Sequence, residues 1–190
     1  MNPVIYLVVG AAIAIACLWA WDQIWSFRAQ RLNDYANERP TFDLMQTLNQ
    51  RFTAHGVIFD YSGRANTRFS AELSGAFDAD GGVLAERFRY DGMDVVDTRE
   101  WQIRFTSPTS FTATAADVVG VGRGEISGNA VRMTYRLHLP ERAGSHVLDV
   151  VDWLYLMEDG TVVNRSEMRK FGFRAAELFA VFQPVSVTDR

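Results

Sequence analysis

The sequence predicts a mainly β protein, with about nine or ten antiparallel strands preceded by one N-terminal transmembrane helix. Three observations carry this prediction. The chain begins with an uncharged apolar run, and apolar and polar residues alternate after about residue 50. Turn-forming residues then recur roughly every 10–15 positions, with no crossover helix between the strands. So many strands form either a sandwich or a closed barrel, and closure removes exposed edges.

The N-terminal run from Val4 to Trp21 has no charged or strongly polar side chain. At ~1.5 Å per residue it covers about 27 Å as a helix, close to the hydrocarbon thickness of a bilayer. Trp19, Trp21 and Trp25 cluster where an aromatic belt meets the headgroups. A secretory signal requires basic residues before its apolar run. No Lys or Arg precedes the run in this chain, so we expect an uncleaved anchor.

Two features near the anchor bear on its processing and orientation. Cys17 ends a stretch that loosely resembles a lipoprotein box, but the residues after it stay apolar, which favours a plain membrane residue. Arg28, Arg31 and Arg39 follow the anchor and no basic residue precedes it. Positive-inside counting alone would therefore place the following domain in the cytoplasm.

The chain divides into three parts on this pattern. Residues 1–24 are the transmembrane anchor, residues 25–41 a juxtamembrane linker, and residues 42–190 the β domain. The linker pattern predicts that the helix continues into it and then gives way to a polar segment that ends at Pro40. Phe42 to Leu48 then predict one short helix with Thr41 as its N-cap.

Strand periodicity is clearest in three segments: Arg68–Phe77, Arg99–Phe105 and Val131–Leu139 each alternate between apolar and polar residues. His146–Met157 departs from this alternation, because it is apolar on both faces and indicates a strand buried on both sides. Phe171–Phe182, either a last strand or a short helix, is the candidate to cover it.

Several functional classes are excluded or disfavoured. The net charge of -4 and pI of about 5.4 give no general attraction for nucleic acid. Gly120–Gly124 lacks the helix that a phosphate-binding loop needs and predicts a tightly turning strand. His55, His138 and His146 lack metal-ligand spacing, and the single Cys17 provides no catalytic nucleophile. We therefore expect no metal, no other cofactor and no covalent catalysis.

Asp149 and Asp152 interrupt the apolar run and lie three residues apart, so on a strand they face opposite sides. A buried carboxylate needs partners, and Arg165, Arg169 or Lys170 could supply them from the next strand. The pattern favours a structural ion pair inside the barrel. The alternative is a polar group that orients the head of a ligand.

Four motifs occur in order along the chain: Asp117–Gly120, Ser127–Ala130, Asp152–Met157 and Asn164–Gly172. From about Phe42 to Phe182 the chain resembles the uncharacterised bacterial family DUF3833. The resemblance implies a lipocalin-like barrel and an envelope location, which moves the expected site of the domain to the periplasm. It implies no catalytic residue.

These observations predict a membrane-anchored, lipocalin-like protein of the bacterial inner membrane, not an enzyme, that binds a lipid such as a fatty acid or phospholipid. A barrel of this size can hold one small ligand. One alternative is a scaffolding protein with a filled barrel, and another is an enzyme on acyl chains, of isomerase or hydratase type. The predicted interior lining is Trp101, Phe105, Tyr135, Trp153 and Tyr155, with polar contacts from Asp117, Asp152, Asn164 and Arg165.

Overall fold

The alternating segments become strands of one closed antiparallel barrel in the computed structural model, which describes residues 3–24 and 26–185. Ten strands are present in this described part, each pairs with its neighbours in the chain, and the first pairs with the last. The predicted barrel is thereby confirmed. The strands are β1 (Arg51–Asp60), β2 (Ala65–Phe77), β3 (Gly81–Tyr90), β4 (Val96–Ser107), β5 (Ser110–Thr114), β6 (Gly122–Ser127), β7 (Ala130–His138), β8 (Val147–Leu156), β9 (Val162–Lys170) and β10 (Phe173–Pro184).

The barrel core follows directly from the period of two. In β2, Phe69, Ala71 and Leu73 are buried, whereas Glu72 and Ser74 between them are exposed. Buried and partly buried apolar residues, Trp101 among them, continue around the barrel as one cluster. Burial of this apolar surface is the main stabilising contribution to the fold.

One end of the barrel is closed by a short helix, α2 (Leu44–Leu48), that follows the linker; α1 denotes the N-terminal helix Pro3–Ile24. Leu44 and Leu48 are buried in the barrel core. The predicted N-cap Thr41 is wrong: the carboxylate of Asp43 accepts a hydrogen bond from the backbone N–H of Gln46 at 2.9 Å. Asp43 is the last residue with extended backbone, so its side chain reaches the free N–H groups.

The opposite end, which we call the mouth, is formed by the connections that follow the odd-numbered strands β1, β3, β5, β7 and β9. The longest of these, between β7 and β8, contains a short 3-10 helix, η3 (Glu141–Ala143). The mouth thus has the longer connecting loops, whereas α2 lies at the closed end.

The predicted linker is part of the folded unit. Two 3-10 helices, η1 (Phe27–Ala29) and η2 (Leu32–Tyr35), pack on the outer face of β7 and β8. We call residues 27–35 the strap. It buries Trp153 to 1% exposure, together with Ala130.

The strap explains why β8 is apolar on both faces. The prediction that Phe171–Phe182 covers β8 is wrong, because that segment forms strand β10, which pairs with both β9 and β1. The alternative left open between strand and helix is thus decided in favour of the strand. The outer face of β8 is buried by residues that lie before the barrel in the sequence.

Helix α1 presents apolar side chains to its surroundings, and every described side chain from Pro3 to Cys17 is exposed. Among the residues that the structure describes, no helix is long and apolar enough to span a membrane. The described residues thus do not support the predicted transmembrane helix. Trp25 and the side chain of Trp19, both assigned to the predicted aromatic belt, lie outside the described residues.

The strap can be tested at the β6–β7 turn. Gly128 has φ +54°, and a Cβ there would lie 1.7 Å from the carbonyl oxygen of Tyr35. Gly63 has φ +84° and open space around it. We expect Gly63→Ala to cost about 1–2 kcal/mol of unfolding free energy and Gly128→Ala a further ~2 kcal/mol, because the strap must move. Urea denaturation measures both, and equal losses would contradict this docking of the strap.

Candidate ligand-binding site

A group of polar side chains lies inside the barrel, between the main apolar core and a second apolar cluster nearer the mouth that contains Leu137, Leu148 and Val150. Its members come from strands that are distant in sequence, and closure of the sheet brings them together. Asp152 pairs with Met133 and with Ser166 across the sheet, so its side chain shares their inward face. We call this group the polar cluster, and its members are Glu86 on β3, Arg99 on β4, Tyr135 on β7, Asp152 on β8 and Ser166 on β9.

Arg99 is the only cation in the polar cluster as defined and connects it to the mouth. Its Nε and Nη2 donate to Oδ2 of Asp117 at 2.9 and 2.7 Å. Its Nη1 is 3.8 Å from Oε2 of Glu86. The guanidinium carbon also lies 5.5 Å from the ring centroid of Trp101, within the range of a cation–π contact. Arg99 is therefore held by a carboxylate on the mouth side and by an aromatic ring inside.

Glu86 is a carboxyl group in a mainly apolar environment, with only 10% of its side chain exposed. Burial raises the pKa of Glu86 to about 7, even though the charge of Arg99 acts in the opposite direction. Its Oε2 has no hydrogen-bond partner among the described residues. Glu86 thus offers an unused acceptor close to neutral pH.

Asp152 is the second buried carboxyl. Burial raises its pKa, against the effect of hydrogen bonds from Ser166 and Tyr135. The pKa of the Tyr135 phenol is raised well above its ordinary value, first by burial and then by the charge of Asp152. Within the described part of the chain, Oδ1 of Asp152 accepts no hydrogen bond. Asp152 therefore carries an unused acceptor as well.

The chemistry that this arrangement allows follows from the two unused oxygens. A buried acceptor without a partner costs about 1–3 kcal/mol, so buried polar atoms are nearly always hydrogen-bonded. Two such oxygens in one interior can accept hydrogen bonds from a bound molecule. The described residues contain no group of three or more His, Cys, Asp or Glu side chains placed to hold a metal ion.

The connection between β7 and β8 reaches over the mouth. Arg142 in η3 forms an ion pair with Asp97 near the start of β4. Asp97 also lies beside Tyr90, whose pKa is raised to about 12, first by burial and then by that charge. This ion pair links the β7–β8 connection to β4, past the mouth ends of β5 and β6.

Two open grooves lie elsewhere on the barrel. One, of about 530 Å³, is lined by outward residues of β1, β2 and β10, including His55, Arg68 and Phe179. The other, of about 560 Å³, lies beside the β8–β9 turn and includes Asp159. No residue of the polar cluster lines either groove, so the grooves and the cluster are separate features.

The structure brings some of the predicted site residues together. Asp149 and Asp152 face opposite sides, as expected: Asp149 is 71% exposed beside Arg136, and only Asp152 joins the polar cluster. The proposed partners Arg165, Arg169 and Lys170 do not pair with Asp152. Of the predicted residues, Trp101, Phe105, Tyr135, Asp152 and Asn164 face the interior and Asp117 lies at the mouth.

Trp153, Tyr155 and Arg165 do not line the interior, and this part of the prediction is wrong. They lie on the outer face under or beside the strap, because inward positions on β8 and β9 are the even-numbered ones. The Tyr155 hydroxyl donates to Oε1 of Gln30. The Arg165 guanidinium lies 5.0 Å from the Phe27 ring centroid and its Nε is 2.6 Å from Glu177. These residues hold the strap instead of a ligand.

Three cluster residues, Glu86, Arg99 and Ser166, were missed from the sequence, although a signal was present for the first two. In β3, Leu84, Phe88 and Tyr90 mark the inward positions, and Glu86 is the polar exception among them. Arg99 is likewise on the same face of β4 as Trp101. A charged residue at an inward position of an alternating strand is the pattern that identifies both.

The raised pKa of Glu86 predicts how stability depends on pH. The folded pKa of about 7 lies above the ordinary 4.5, so the folded protein keeps a proton that the unfolded chain has lost. Stability therefore falls as pH rises from 4.5 to 7 and stays lower above that range. Glu86→Gln should reduce the loss by up to about 3 kcal/mol, measured by urea denaturation at both ends of the range. An unchanged loss would show that Glu86 ionises normally.

Comparisons with known proteins support the fold and the family. The barrel is similar to the S-type phycobiliprotein lyase CPES from Guillardia theta, with a TM-score of 0.56 and 4% identity over 84% of this chain and 99% of that one. It is also similar to Rv2717c from M. tuberculosis, with a TM-score of 0.55 and 12% identity over 79% and 100% of the two chains. No curated protein matches the sequence. The family model described as "Protein of unknown function (DUF3833)" matches residues 22–184, so the chain belongs to this family, as the four motifs indicated.

Proposed function

We propose that the barrel binds a lipid or another apolar molecule whose polar group donates hydrogen bonds to Glu86 and Asp152. The observation that carries the proposal is a pair of buried carboxyl oxygens, one on each of these residues, that accept no hydrogen bond from the described residues, although Oε2 of Glu86 lies 3.8 Å from Nη1 of Arg99. A donor group on a bound molecule would remove the cost of leaving both oxygens unsatisfied. The lipocalin-like architecture, in which a barrel interior can hold one small ligand, is compatible with this role.

The interior suits a ligand with an apolar body. Trp101 and Tyr135 meet edge to face, with ring centroids 5.1 Å apart. Phe88 and Tyr90 stack with centroids 6.4 Å apart on the same inward face of β3. Aromatic walls with a few convergent polar groups are the usual composition of a small-molecule site.

The charges around the polar cluster narrow the class of ligand. Arg99 already faces Asp117 and Glu86, and Asp152 adds a third carboxyl group nearby. A fatty-acid carboxylate would therefore meet an interior with more acid groups than bases, at a cost in electrostatic free energy. We propose a neutral or cationic head with N–H or O–H groups, such as an amide, alcohol or amine. This narrows the expected fatty acid or phospholipid to lipids with a donor head.

A second candidate function is proton transfer on an acyl substrate, the isomerase or hydratase alternative. It is favoured by one observation: the pKa of Glu86 is about 7, the range in which a carboxyl group can act as a general acid or base. Deuterium uptake by a long-chain acyl thioester in heavy water, lost in Glu86→Gln, would support it. We propose binding without catalysis as the main function, and complete absence of exchange agrees with that choice.

We further propose that α1 attaches the barrel to the bacterial inner membrane, with the barrel in the periplasm. In support, Leu7 and Ile15 are 73% and 67% exposed, and such apolar surface favours an apolar environment. An alkaline phosphatase fusion after Arg190 should be active, because the enzyme folds only outside the cytoplasm. An inactive fusion of normal abundance would contradict the periplasmic location.

Ligand uptake can be measured by native mass spectrometry of delipidated protein with stearamide and with stearic acid. At a pH above the pKa of Glu86, stearamide should bind more tightly than stearic acid. Asp152→Asn should weaken its binding about tenfold, since a hydrogen bond to a charged group contributes ~1.5–3 kcal/mol.

Asp149→Asn is the matched control, as Asp149 lies on the same strand and faces solvent. It should leave uptake unchanged. Failure of both probes to bind would argue against a ligand and in favour of the scaffolding alternative.

A further inference from the structure

Exposed apolar side chains are concentrated around the mouth. Outside α1, most of the large apolar residues that are exposed in the described structure lie in or next to the mouth connections, which we call the rim. They occur in four of the five connections, so they surround the opening instead of forming one patch. The rim residues are Tyr61, Met93, Val95, Val96, Val119, Val121, Phe171 and Phe173.

The β9–β10 hairpin tip is the most prominent part of the rim. Phe171 and Phe173 are 87% and 80% exposed, more than any other large apolar residue described. Lys170 and Arg174 flank them, and the Lys170 ammonium lies 5.5 Å from the Phe171 ring centroid. Aromatic rings next to basic side chains are the composition that proteins place at the headgroup level of a bilayer.

The backbone of this tip gives a second, independent indication. Phe171 has φ +52° and Gly172 has φ +84°. Glycine and asparagine are the residues that two-residue hairpins usually place in this left-handed region, where a bulky side chain is disfavoured. Phe171 takes this conformation with its ring in solvent, so core packing does not account for an aromatic residue here. Contact with an apolar partner outside the chain would account for it.

Acidic groups make the rim less negative than their number suggests, because some of them form ion pairs with basic residues. Asp91 is 3.2 Å from Arg68, and Asp97 pairs with Arg142. The local charge at the β9–β10 tip is basic, although Arg174 shares Glu177 with Arg165.

The strap leaves the mouth uncovered in the described part of the chain. The carbonyl of Tyr35 lies against Gly128 in the β6–β7 turn at the closed end. Phe27 lies farther along the wall, beside Trp153 and Arg165. Trp153 and Arg165 lie near the middle of β8 and β9, so the strap covers the wall from the closed end to about its middle.

We infer that the mouth docks on the surface of an anionic lipid bilayer, with Phe171 and Phe173 inserted at the headgroup level. Lys170 and Arg174 then lie against lipid phosphates, which attract basic residues near the surface. The apolar rim then rests on the bilayer, and the mouth end of the barrel faces it. This inference does not depend on the identity of a barrel ligand.

Site-specific fluorescence in the full-length chain tests the inference. Cys17→Ser removes the only cysteine, and Phe171→Cys then allows an environment-sensitive nitrobenzoxadiazole label at position 171. Ala79→Cys, in the exposed β2–β3 turn at the closed end, provides the control label. Vesicles contain phosphatidylcholine and phosphatidylglycerol with brominated acyl chains as the quencher.

We expect the label at position 171 to shift to the blue and to be quenched by the brominated lipid, and the label at position 79 to stay unquenched. Equal quenching at both positions, no quenching at position 171, or no association with the vesicles would each overturn the inference. Failure of ligand uptake in the mass spectrometry experiment leaves this result unaffected, so the two proposals fail separately.

Charge reversal separates docking of the tip from a general charge effect. Lys170→Glu, combined with the label at position 171, should reduce its quenching on the anionic vesicles by about half or more. Arg51→Glu makes the same change of charge at the closed end, where Arg51 is exposed, and should leave the quenching unchanged. Equal effects of the two substitutions would overturn the assignment of the contact to this tip.

Discussion

The hydrogen-bonded ladder between β1 and β10, from Phe52–Pro184 to Asp60–Ala176, closes the sheet on itself. A sheet without free edges has every backbone donor and acceptor of its strands within reach of a partner, and it separates an interior from water. Every inward side chain must then be either apolar or supplied with a partner inside the barrel. The polar cluster is the place in the interior where this requirement is only partly met.

The interior holds charged groups between two apolar regions. Near α2 it is filled by apolar side chains such as Phe52 and Leu73, and the helix itself seals that end. In the middle, inward positions carry Glu86, Arg99 and Asp152, and nearer the mouth Leu137, Leu148 and Val150 form a second apolar cluster. Burial of both apolar regions stabilises the fold, while burial of the charged groups between them is costly without a ligand or water.

Alternation in the sequence was sufficient to predict the antiparallel strands, because strands such as β2 and β4 show only one apolar face, whereas the choice of a barrel over a sandwich came from the family resemblance. It failed for β8, whose two faces are both apolar, since periodicity cannot tell which face is inside when both are buried. Trp153 was therefore assigned to the interior although the strap covers it. The strap could not be predicted from local pattern, because its contacts join residues far apart in the sequence.

The candidate site shows the same limit. Asp152 was identifiable as a polar residue in an apolar strand, and Glu86 is an exception of the same kind in β3. The pairing of Arg99 with Asp117 was not predictable, because Asp117 lies in the connection after β5, where no period fixes its direction. Register and closure decide which charged groups meet, and neither can be read from one strand alone.

The strap also sets where a shortened recombinant form of the protein can begin. A start at Phe42 keeps all ten strands and α2, but it removes the cover from Ala130, Val151 and Trp153. Such a form would expose an apolar stripe along β7 and β8, and surfaces of this kind promote self-association. A start at Ser26 keeps the strap and removes α1. The solubility of purified material thus depends on sixteen residues, 26–41, that contribute no strand to the barrel.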